Sequence, residues 1–304
     1  SSDVCSSDLQ TPACRVAFDM GSSGVRAAAA GPGTTAAMPR RDLDLLQPLW
    51  RSQSLEEPLP QVTAILQELP RQARWPVDCA RLGAGFSAWR LALQLNGPRL
   101  MGQLRRLQTE AQVPVLVMPA QIEGRYAYES AQRVLGPRLA TSHVLDIGGG
   151  SLQVAGAASS FSAELGQKAW HRRLCQALRS SPTCVLEALD AAELQRARAL
   201  LDAQLADLPI QLGAGVRLTA LSRPVTCGVA PALARLRGSA GAQAASSLSL
   251  GDLRWAIGQL APLPLQEVAT RAGAAPAFAT YLLSDLLLTE GLLRVTGGQA
   301  LQLV

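Results

Sequence analysis

Two short turns in this sequence combine an aspartate with glycine and serine, as phosphate-binding loops do. The first reads Asp19-Met20-Gly21-Ser22-Ser23, and the second reads Asp146-Ile147-Gly148-Gly149-Gly150-Ser151. Glycine lets the backbone approach a ligand closely and permits a positive φ, and successive N–H groups in such a turn can bind an anion. Serine hydroxyls add further donors. The residue types therefore predict two sites that bind phosphate oxygens.

An aspartate beside bound phosphates is placed to hold Mg²⁺, because this ion prefers one or two carboxylates together with phosphate oxygens. A single turn of this kind is equally compatible with an ordinary hairpin, since short glycine motifs often occur without function. Two such turns at matching places in the two halves of the chain favour the phosphate-binding interpretation. They also predict that both turns face one anion.

Each turn lies between two predicted strands. Apolar runs at Ala13–Met20 and Val25–Ala30 flank the first turn, and runs at His143–Ile147 and Leu152–Ala157 flank the second. Strands alternate with helices in both halves, which predicts an α/β fold with mixed sheets. The predicted organisation is a disordered tail foreign to the fold at 1–12, an N-terminal phosphate-binding lobe at 13–138, and a C-terminal phosphate-binding lobe with a helical tail at 139–304.

The remaining elements follow from apolar spacing and from proline and glycine positions. A break is expected at Gly97-Pro98, because proline disfavours helical geometry before it. An apolar run around Tyr281–Leu288 is interrupted by Asp285 and is predicted to be a buried helix. The other predicted helices are Leu55–Arg74, Ser87–Glu110, Ala120–Leu135, Gln167–Ser180 and Glu187–Ala206, with mostly helical sequence at 230–293; the other predicted strands are Val77–Leu82, Val113–Met118, Val216–Leu221 and Pro224–Cys227.

Composition limits the class of protein. A chain of 304 residues suits two domains, and its net charge of +5 suits an anionic ligand. The arginines are scattered, so nucleic acid is not an expected partner, and no apolar run has the length of a membrane span. The six cysteines form no CxxC pair, and the two histidines show no metal-ligand spacing to them. We therefore expect a cytoplasmic protein with reduced thiols and without a zinc site.

The two turns carry a resemblance to a known family. Val16–Arg26 resembles the first phosphate loop of the exopolyphosphatase/guanosine pentaphosphate phosphatase (Ppx/GppA) family, and Val144–Gln153 resembles its second loop. Phe86–Arg90 resembles the segment that begins a helix with a functional arginine, and Val117–Tyr128 aligns without gaps to the segment carrying the catalytic glutamate. The family belongs to the actin/Hsp70/sugar-kinase superfamily. The resemblance thus implies two ribonuclease-H-like lobes of the actin-like ATPase type with a cleft between them.

The resemblance also implies an activity and roles for individual residues. The activity is the hydrolysis of a terminal phosphoanhydride, in inorganic polyphosphate or guanosine pentaphosphate, with Mg²⁺. Glu123 would be the general base; its alternative is an ordinary glutamate in the first turn of a helix. Arg90 would neutralise charge on the transferred phosphoryl group, and its alternative is a surface arginine. Asp146 would bind Mg²⁺, and the phosphate-binding residues would be Asp19, Gly21, Ser22, Ser23, Gly148, Gly149, Gly150 and Ser151.

Several positions depart from the family pattern. Gln121 and Ile122 replace acidic residues before Glu123, and Gln153 replaces a glutamate after the second turn. These changes keep a second hypothesis open, a non-catalytic protein that senses polyphosphate or a guanosine alarmone. A third, an ATP-dependent kinase or actin-like ATPase, lacks a convincing adenosine-binding glycine segment late in the chain. The apolar C-terminal helices could form a homodimer surface.

Overall fold

A computed structural model describes residues 13–213, 215–238 and 246–304 of the protein. The predicted tail at 1–12 lies outside the described residues. The chain divides into two compact units, the first ending at Met118 and the second spanning Pro119–Val304. Each unit has its own sheet and its own buried apolar cluster.

The first unit is built on a sheet whose strands run in the order β3-β2-β1-β4-β5 within the described residues. The side chains of its central strand, β1, alternate between buried and exposed: Val16, Phe18 and Met20 are buried, and the residues between them are exposed. β1 pairs antiparallel with β2 and parallel with β4, so the first turn joins the ends of two inner strands of a mixed sheet. The strands are β1 (Arg15–Gly21), β2 (Gly24–Ala30), β3 (Arg40–Asp42), β4 (Ala80–Gly85) and β5 (Val115–Val117).

Three helices accompany this sheet in the described part of the unit. The break predicted at Gly97-Pro98 is confirmed, since Asn96 has non-helical backbone angles immediately before it. The helix predicted from residue 55 begins later, at Leu59, where Pro60 suits its first turn. The helices are α1 (Leu46–Ser52), which the sequence did not predict, α2 (Leu59–Gln72) and α3 (Ser87–Glu110).

The second unit has a sheet with the order β10-β11-β9-β6-β7-β8 among its described strands. β6 pairs antiparallel with β7 and parallel with β9, which repeats the arrangement around the first turn. The strands are β6 (His143–Ile147), β7 (Leu152–Gly156), β8 (Ser160–Ala163), β9 (Leu218–Ala220), β10 (Ser247–Ser249) and β11 (Ala300–Leu303); the helices are α4 (Ala120–Leu135), α5 (Gln167–Arg179), α6 (Ala191–Leu205), α7 (Leu208–Leu212), α8 (Ala230–Leu236), α9 (Leu250–Leu260), α10 (Leu265–Ala272) and α11 (Pro276–Val295).

Helix α4 belongs to the second unit, whereas the sequence-based boundary after residue 138 places it in the first. Its apolar side packs on β6, β7 and β8. Tyr128 and Ala131 form a small buried cluster with Val144 and Ala155 of this sheet. The division between units therefore falls between Met118 and Pro119.

Two sequence-based expectations are wrong. The segment predicted as a strand at Pro224–Cys227 is a π-helix over Pro224–Val229, which continues directly into α8. The cysteines are not all reduced, because disulfides join Cys14 to Cys79 and Cys175 to Cys184. Both pairs were missed since their partners become neighbours only when separate elements pack.

The apolar run around Tyr281–Leu288 is confirmed as a buried helix. It is the middle of α11, and Leu282, Leu286 and Leu287 lie in the core of the second unit. No helix within the described ranges is long and apolar enough to cross a membrane.

Candidate functional site

The first turn consists of Ser22 and Ser23 between the paired ends of β1 and β2. Its two carbonyl groups accept hydrogen bonds from the segment after β3: the N–H of Leu45 donates to Ser22 O (3.0 Å) and that of Leu43 to Ser23 O (3.2 Å). In the described part of the chain, no hydrogen bond engages the N–H groups of Ser22 and Ser23. The turn thus holds its acceptors in place and leaves two successive donors for a ligand.

Glycine is needed in this turn for space rather than for backbone angles. Neither Gly21 nor Gly24 has a positive φ. A Cβ on Gly24 would lie 2.7 Å from the carbonyl oxygen of Arg41, which is closer than real Cβ contacts. The expectation of a left-handed glycine is therefore not met, and close backbone approach explains the residue.

Ser22 also connects the turn to α3. Its Oγ accepts a hydrogen bond from the N–H of Ala88 (3.2 Å) in the first turn of that helix, and the N–H of Phe86 donates to Met20 O (3.2 Å). The structure therefore brings Asp19, Gly21, Ser22 and Ser23 together with the start of the helix that carries Arg90.

Arg90 is not a surface arginine, which was its alternative interpretation. It is 8% exposed, and its Nη1 donates to the carbonyl oxygen of Met118 (3.1 Å). A guanidinium has five N–H donors in a planar fork that matches phosphate oxygens. Its burial beside the first turn is consistent with a role in binding an anion.

The second loop, Gly148–Ser151, lies between β6 and β7. The N–H of Gly148 donates to Ser151 O (2.9 Å), which closes the loop on itself. No hydrogen bond to the N–H of Gly149 or Gly150 is formed within the residues that the structure describes. This loop therefore offers two successive donors, as the first turn does.

The carbonyl groups of the second loop are held by the beginning of α5. The N–H of Gln167 donates to Gly148 O (2.9 Å), and the N–H of Lys168 donates to Gly149 O (2.8 Å). Gly166 permits this approach: a Cβ there would lie 2.5 Å from Ser151 N and 2.6 Å from Gly148 O. Gly166 was not predicted to have a role, and its position immediately before the helix predicted from Gln167 was the available signal.

Gln153 is buried, with 2% of its surface exposed, and it organises the serines around the loop. Its Nε2 donates to Ser151 Oγ (2.9 Å) and to Ser162 Oγ (3.4 Å). The amide thus orients the Ser151 hydroxyl in the loop. The position where the Ppx/GppA family has a glutamate therefore supplies a neutral hydrogen-bond donor in this chain.

Glu123 lies in the first turn of α4 and is half-buried. The next residue, Gly124, packs against Gln153 and Ala155, since a Cβ on it would contact both side chains at 3.4 to 3.5 Å. The structure thus places Glu123 beside the strand that leaves the second loop. Arg125, by contrast, is exposed and paired with Glu129 (2.8 Å), as a surface residue of a helix.

The aspartates of the two turns have different cross-strand partners. Asp19 is opposite Arg26, with a distance of 3.8 Å between Oδ2 and Nε. Partial desolvation raises the pKa of Asp19, and the charges of Arg26 and Arg40 oppose this rise. Asp146 is opposite Gln153 and is half-buried. A carboxylate whose ladder partner is neutral suits a cation better than one beside arginine, so Asp146 fits Mg²⁺ better than Asp19 does.

Sequence reasoning missed a buried carboxyl group behind the second loop. Asp285 of α11 is 2% exposed, and its Oδ2 accepts a hydrogen bond from Gln167 Nε2 (2.6 Å). Its Oδ1 is buried without a hydrogen-bond partner among the described residues. Burial raises the pKa of Asp285 to about 8, and the Gln167 bond only partly offsets this. The signal in the sequence was an aspartate inside a run of leucines.

Comparison with known proteins identifies the fold. No protein-family model and no curated protein matches the sequence. The PPX-GPPA enzyme of Aquifex aeolicus has a similar structure, with a TM-score of 0.71, 18% identity and 95% of each chain covered. An exopolyphosphatase from Cytophaga hutchinsonii gives 0.69 and 17%, covering 95% of this chain and 93% of that one. An exopolyphosphatase-like protein gives 0.72 and 16%, with 96% and 93% covered.

This chain therefore has the α/β fold of the solved Ppx/GppA proteins over nearly its whole length. The α/β fold that the sequence predicts, and its resemblance to the Ppx/GppA fold, are confirmed.

Proposed function

We propose that the protein is a phosphoanhydride hydrolase that releases the terminal phosphate of inorganic polyphosphate or guanosine pentaphosphate. The observation that carries this proposal is the common design of the two turns. In each, the carbonyl groups are bonded to neighbouring amides and two successive N–H groups are not engaged within the described residues. Such paired donors match phosphate oxygens. The fold shared with solved exopolyphosphatases supports the choice of reaction.

In this proposal Glu123 is the general base. It accepts a proton from the water that attacks the terminal phosphorus, and the phosphoanhydride bond to the remaining chain breaks. Positioned proton transfer of this kind contributes about 10²–10⁴-fold to the rate. The N–H groups of Gly149 and Gly150 bind phosphate oxygens. Arg90 and the N–H groups of Ser22 and Ser23 also bind phosphate oxygens, which stabilises the negative charge of the transition state.

Mg²⁺ fits the donor set at the second loop. Asp146 would hold the ion directly or through water, together with phosphate oxygens, and Gln153 contributes no charge to it. When bound, the ion would neutralise charge on the phosphate oxygens and on the leaving group.

The test is a phosphate-release assay on polyphosphate and on guanosine pentaphosphate, with and without Mg²⁺. We expect release on at least one substrate, a requirement for Mg²⁺, and a loss of about 10²–10⁴-fold in Glu123→Gln. Glu129→Gln is the matched control, because it changes a half-buried glutamate of the same helix that pairs with the exposed Arg125. An unchanged rate in Glu123→Gln would show that the assigned base is wrong.

Gln153 favours a second candidate function. Because a buried amide occupies this position, the second loop has fewer carboxylates than a metal-dependent hydrolase of the Ppx/GppA pattern. The protein would then bind polyphosphate or a guanosine alarmone without hydrolysing it. Calorimetry distinguishes the two: saturable binding without phosphate release supports the sensor, and turnover excludes it.

A further inference from the structure

A cluster of two cysteines and a histidine lies in the second unit, on α5 and in the segment that follows this helix. His171 and Cys175 are four residues apart on one face of α5, and Cys184 lies in the segment between α5 and α6. One ring nitrogen of His171 and the two Sγ atoms all lie within 4.8 Å of one another. His171 and Cys175 are buried and Cys184 is half-buried, so the cluster can be reached from the side of Cys184.

The spacing of these atoms matches that of ligands around a tetrahedral zinc ion. Zinc binds sulfur at about 2.3 Å and nitrogen at about 2.0–2.1 Å, so tetrahedral angles separate a sulfur from a nitrogen by about 3.5 Å. Cys175 Sγ and His171 Nε2 are 3.5 Å apart. Two sulfurs on the same ion would be about 3.8 Å apart. The Cys175–Cys184 disulfide must therefore open before a metal can enter.

The ring of His171 is held on its other side, as the histidine ligands of metal sites are. Its Nδ1 lies 3.1 Å from Ser284 Oγ, and this hydroxyl donates to the carbonyl oxygen of Tyr281 (2.8 Å). The ring also packs edge-on against Tyr281, with 4.9 Å between centroids. Because the Ser284 hydroxyl donates to Tyr281 O, its oxygen accepts a hydrogen bond from the Nδ1–H of His171. In this tautomer the lone pair of Nε2 is available to a metal beside the sulfurs.

A second tautomer suits the disulfide form. Nε2 lies 3.2 Å from the carbonyl oxygen of Cys184, to which it can donate when it carries the proton. Ser284 Oγ then donates to Nδ1. Rotation of one hydroxyl thus serves both forms of the cluster.

The Cys14–Cys79 disulfide provides an internal comparison. It is also buried, but the chain contains only two histidines, and His143, the other one, lies in the second unit with Ser142 and Ser159 as its partners. Among the described residues, the group with metal-ligand spacing is the one around Cys175 and Cys184, so the two disulfides differ in the presence of a nitrogen ligand.

We propose that Cys175, Cys184 and His171 form a zinc site when a cellular dithiol has reduced their disulfide. In the reduction the dithiol transfers two electrons and two protons to the sulfurs and itself becomes a disulfide. Zinc then displaces the two thiol protons, and the cysteines bind as thiolates. The fourth position of the ion is taken by water. Oxidation by a disulfide-forming reagent reverses the step and expels the metal.

The experiment uses the full chain, reduced and handled without oxygen, with Co²⁺ as a spectroscopic probe for zinc. We expect one Co²⁺ per chain, with a thiolate charge-transfer band and the d–d bands of a tetrahedral ion, and displacement of Co²⁺ by Zn²⁺. The oxidised chain should show no such bands. Adding diamide to the zinc-loaded chain should release one zinc to a chromogenic chelator. Absence of a thiolate band in the reduced chain would overturn the proposal.

Variants locate the site. Cys175→Ser and His171→Asn should lose the tetrahedral spectrum, whereas Cys79→Ser and Cys227→Ser should keep it; Cys227 is exposed and free. Ser284→Ala leaves all three ligands in place and should weaken binding about 10–100-fold, because it removes the bond that orients the ring. A band that persists in Cys175→Ser, or that disappears in Cys79→Ser, would contradict the assignment. If Cys175→Ser does not fold, the diamide release from the unsubstituted chain decides the question.

Discussion

The two glycine turns reach the same backbone arrangement by different means. In the first, an irregular segment after β3 donates to the turn carbonyls through Leu43 and Leu45; in the second, the amides at the start of α5 do so. The aspartate before the first turn is opposite an arginine, and the one before the second is opposite a glutamine. We propose from this difference that both turns bind phosphate and that only the second also binds Mg²⁺.

Adding a Cβ under the second loop is expected to disturb the close packing there. Gly166→Ala places a Cβ within 3 Å of three backbone atoms of that loop, whereas Gly24→Ala, beside the first turn, places a Cβ within 3 Å of one backbone atom, the carbonyl oxygen of Arg41 in β3. We expect a loss of about 1–3 kcal/mol in the free energy of unfolding for each, from forced backbone shifts, with the larger loss in Gly166→Ala. Denaturant unfolding measures it.

Gly102→Ala is the control for both, because a Cβ there meets nothing within 4 Å. It should stabilise α3 by roughly 0.5–1 kcal/mol. Phosphate release should fall most in Gly166→Ala. If Gly166→Ala unfolds like the control and keeps the rate of the unsubstituted chain, α5 does not support the loop as described.

The free energy of unfolding should depend on pH through Asp285, which is bonded to Gln167 behind the second loop. Burial raises the pKa of Asp285 to about 8 from its ordinary value of 3.8, so the folded chain holds a proton that the unfolded chain releases between these values. The contribution of Asp285 to stability therefore falls as pH rises from about 4 to about 8, by up to about 1.4 kcal/mol per unit, and is constant above that.

Asp285→Asn removes this dependence while keeping the size of the side chain. Its free energy of unfolding, relative to that of the unsubstituted chain, should increase between pH 4 and 8 and then level off. Urea unfolding at a series of pH values tests this. A difference that does not change with pH would show that Asp285 does not hold its proton.

The first turn can be tested by removing the hydroxyl of Ser22, which should lower the free energy of unfolding. Ser22→Ala leaves the buried N–H of Ala88 without its acceptor and should cost about 1–3 kcal/mol. Ser23→Ala, at the neighbouring position, should change stability by less than about 0.5 kcal/mol. Equal losses in the two variants would mean that the bond between the turn and α3 does not contribute.

The smallest expected effect tests how the residue opposite Asp146 influences Mg²⁺ binding at the second turn. Gln153→Glu places a carboxylate opposite Asp146, and the hydroxyls of Ser151 and Ser162 can reverse to donate to it. We expect the Mg²⁺ concentration for half-maximal phosphate release to fall about tenfold.

The melting temperature of Gln153→Glu should fall without Mg²⁺, because a buried charge is then uncompensated, and should recover when Mg²⁺ is added. If the melting temperature of Gln153→Glu is the same with and without Mg²⁺, residue 153 does not contribute to Mg²⁺ binding.

The sequence by itself determined the elements that depend on local patterns. The strands around both turns follow from apolar runs on either side of glycine turns, and α3, α4 and α5 begin where the sequence predicts. The interruption of α3 follows from Gly97-Pro98, because proline restricts the residue before it. These features involve neighbours along the chain, so periodicity and turn residues are sufficient to predict them.

Tertiary structure decided what each side chain touches. Gln167 and Asp285 are 118 positions apart, and His171 and Ser284 are 113 apart, so nothing in the local pattern relates them. For the same reason the pairing of Cys14 with Cys79, the burial of Arg90 and the membership of α4 in the second unit became visible only in the fold. Such contacts depend on how amphipathic faces pack, and many pairings of faces satisfy the same apolar pattern.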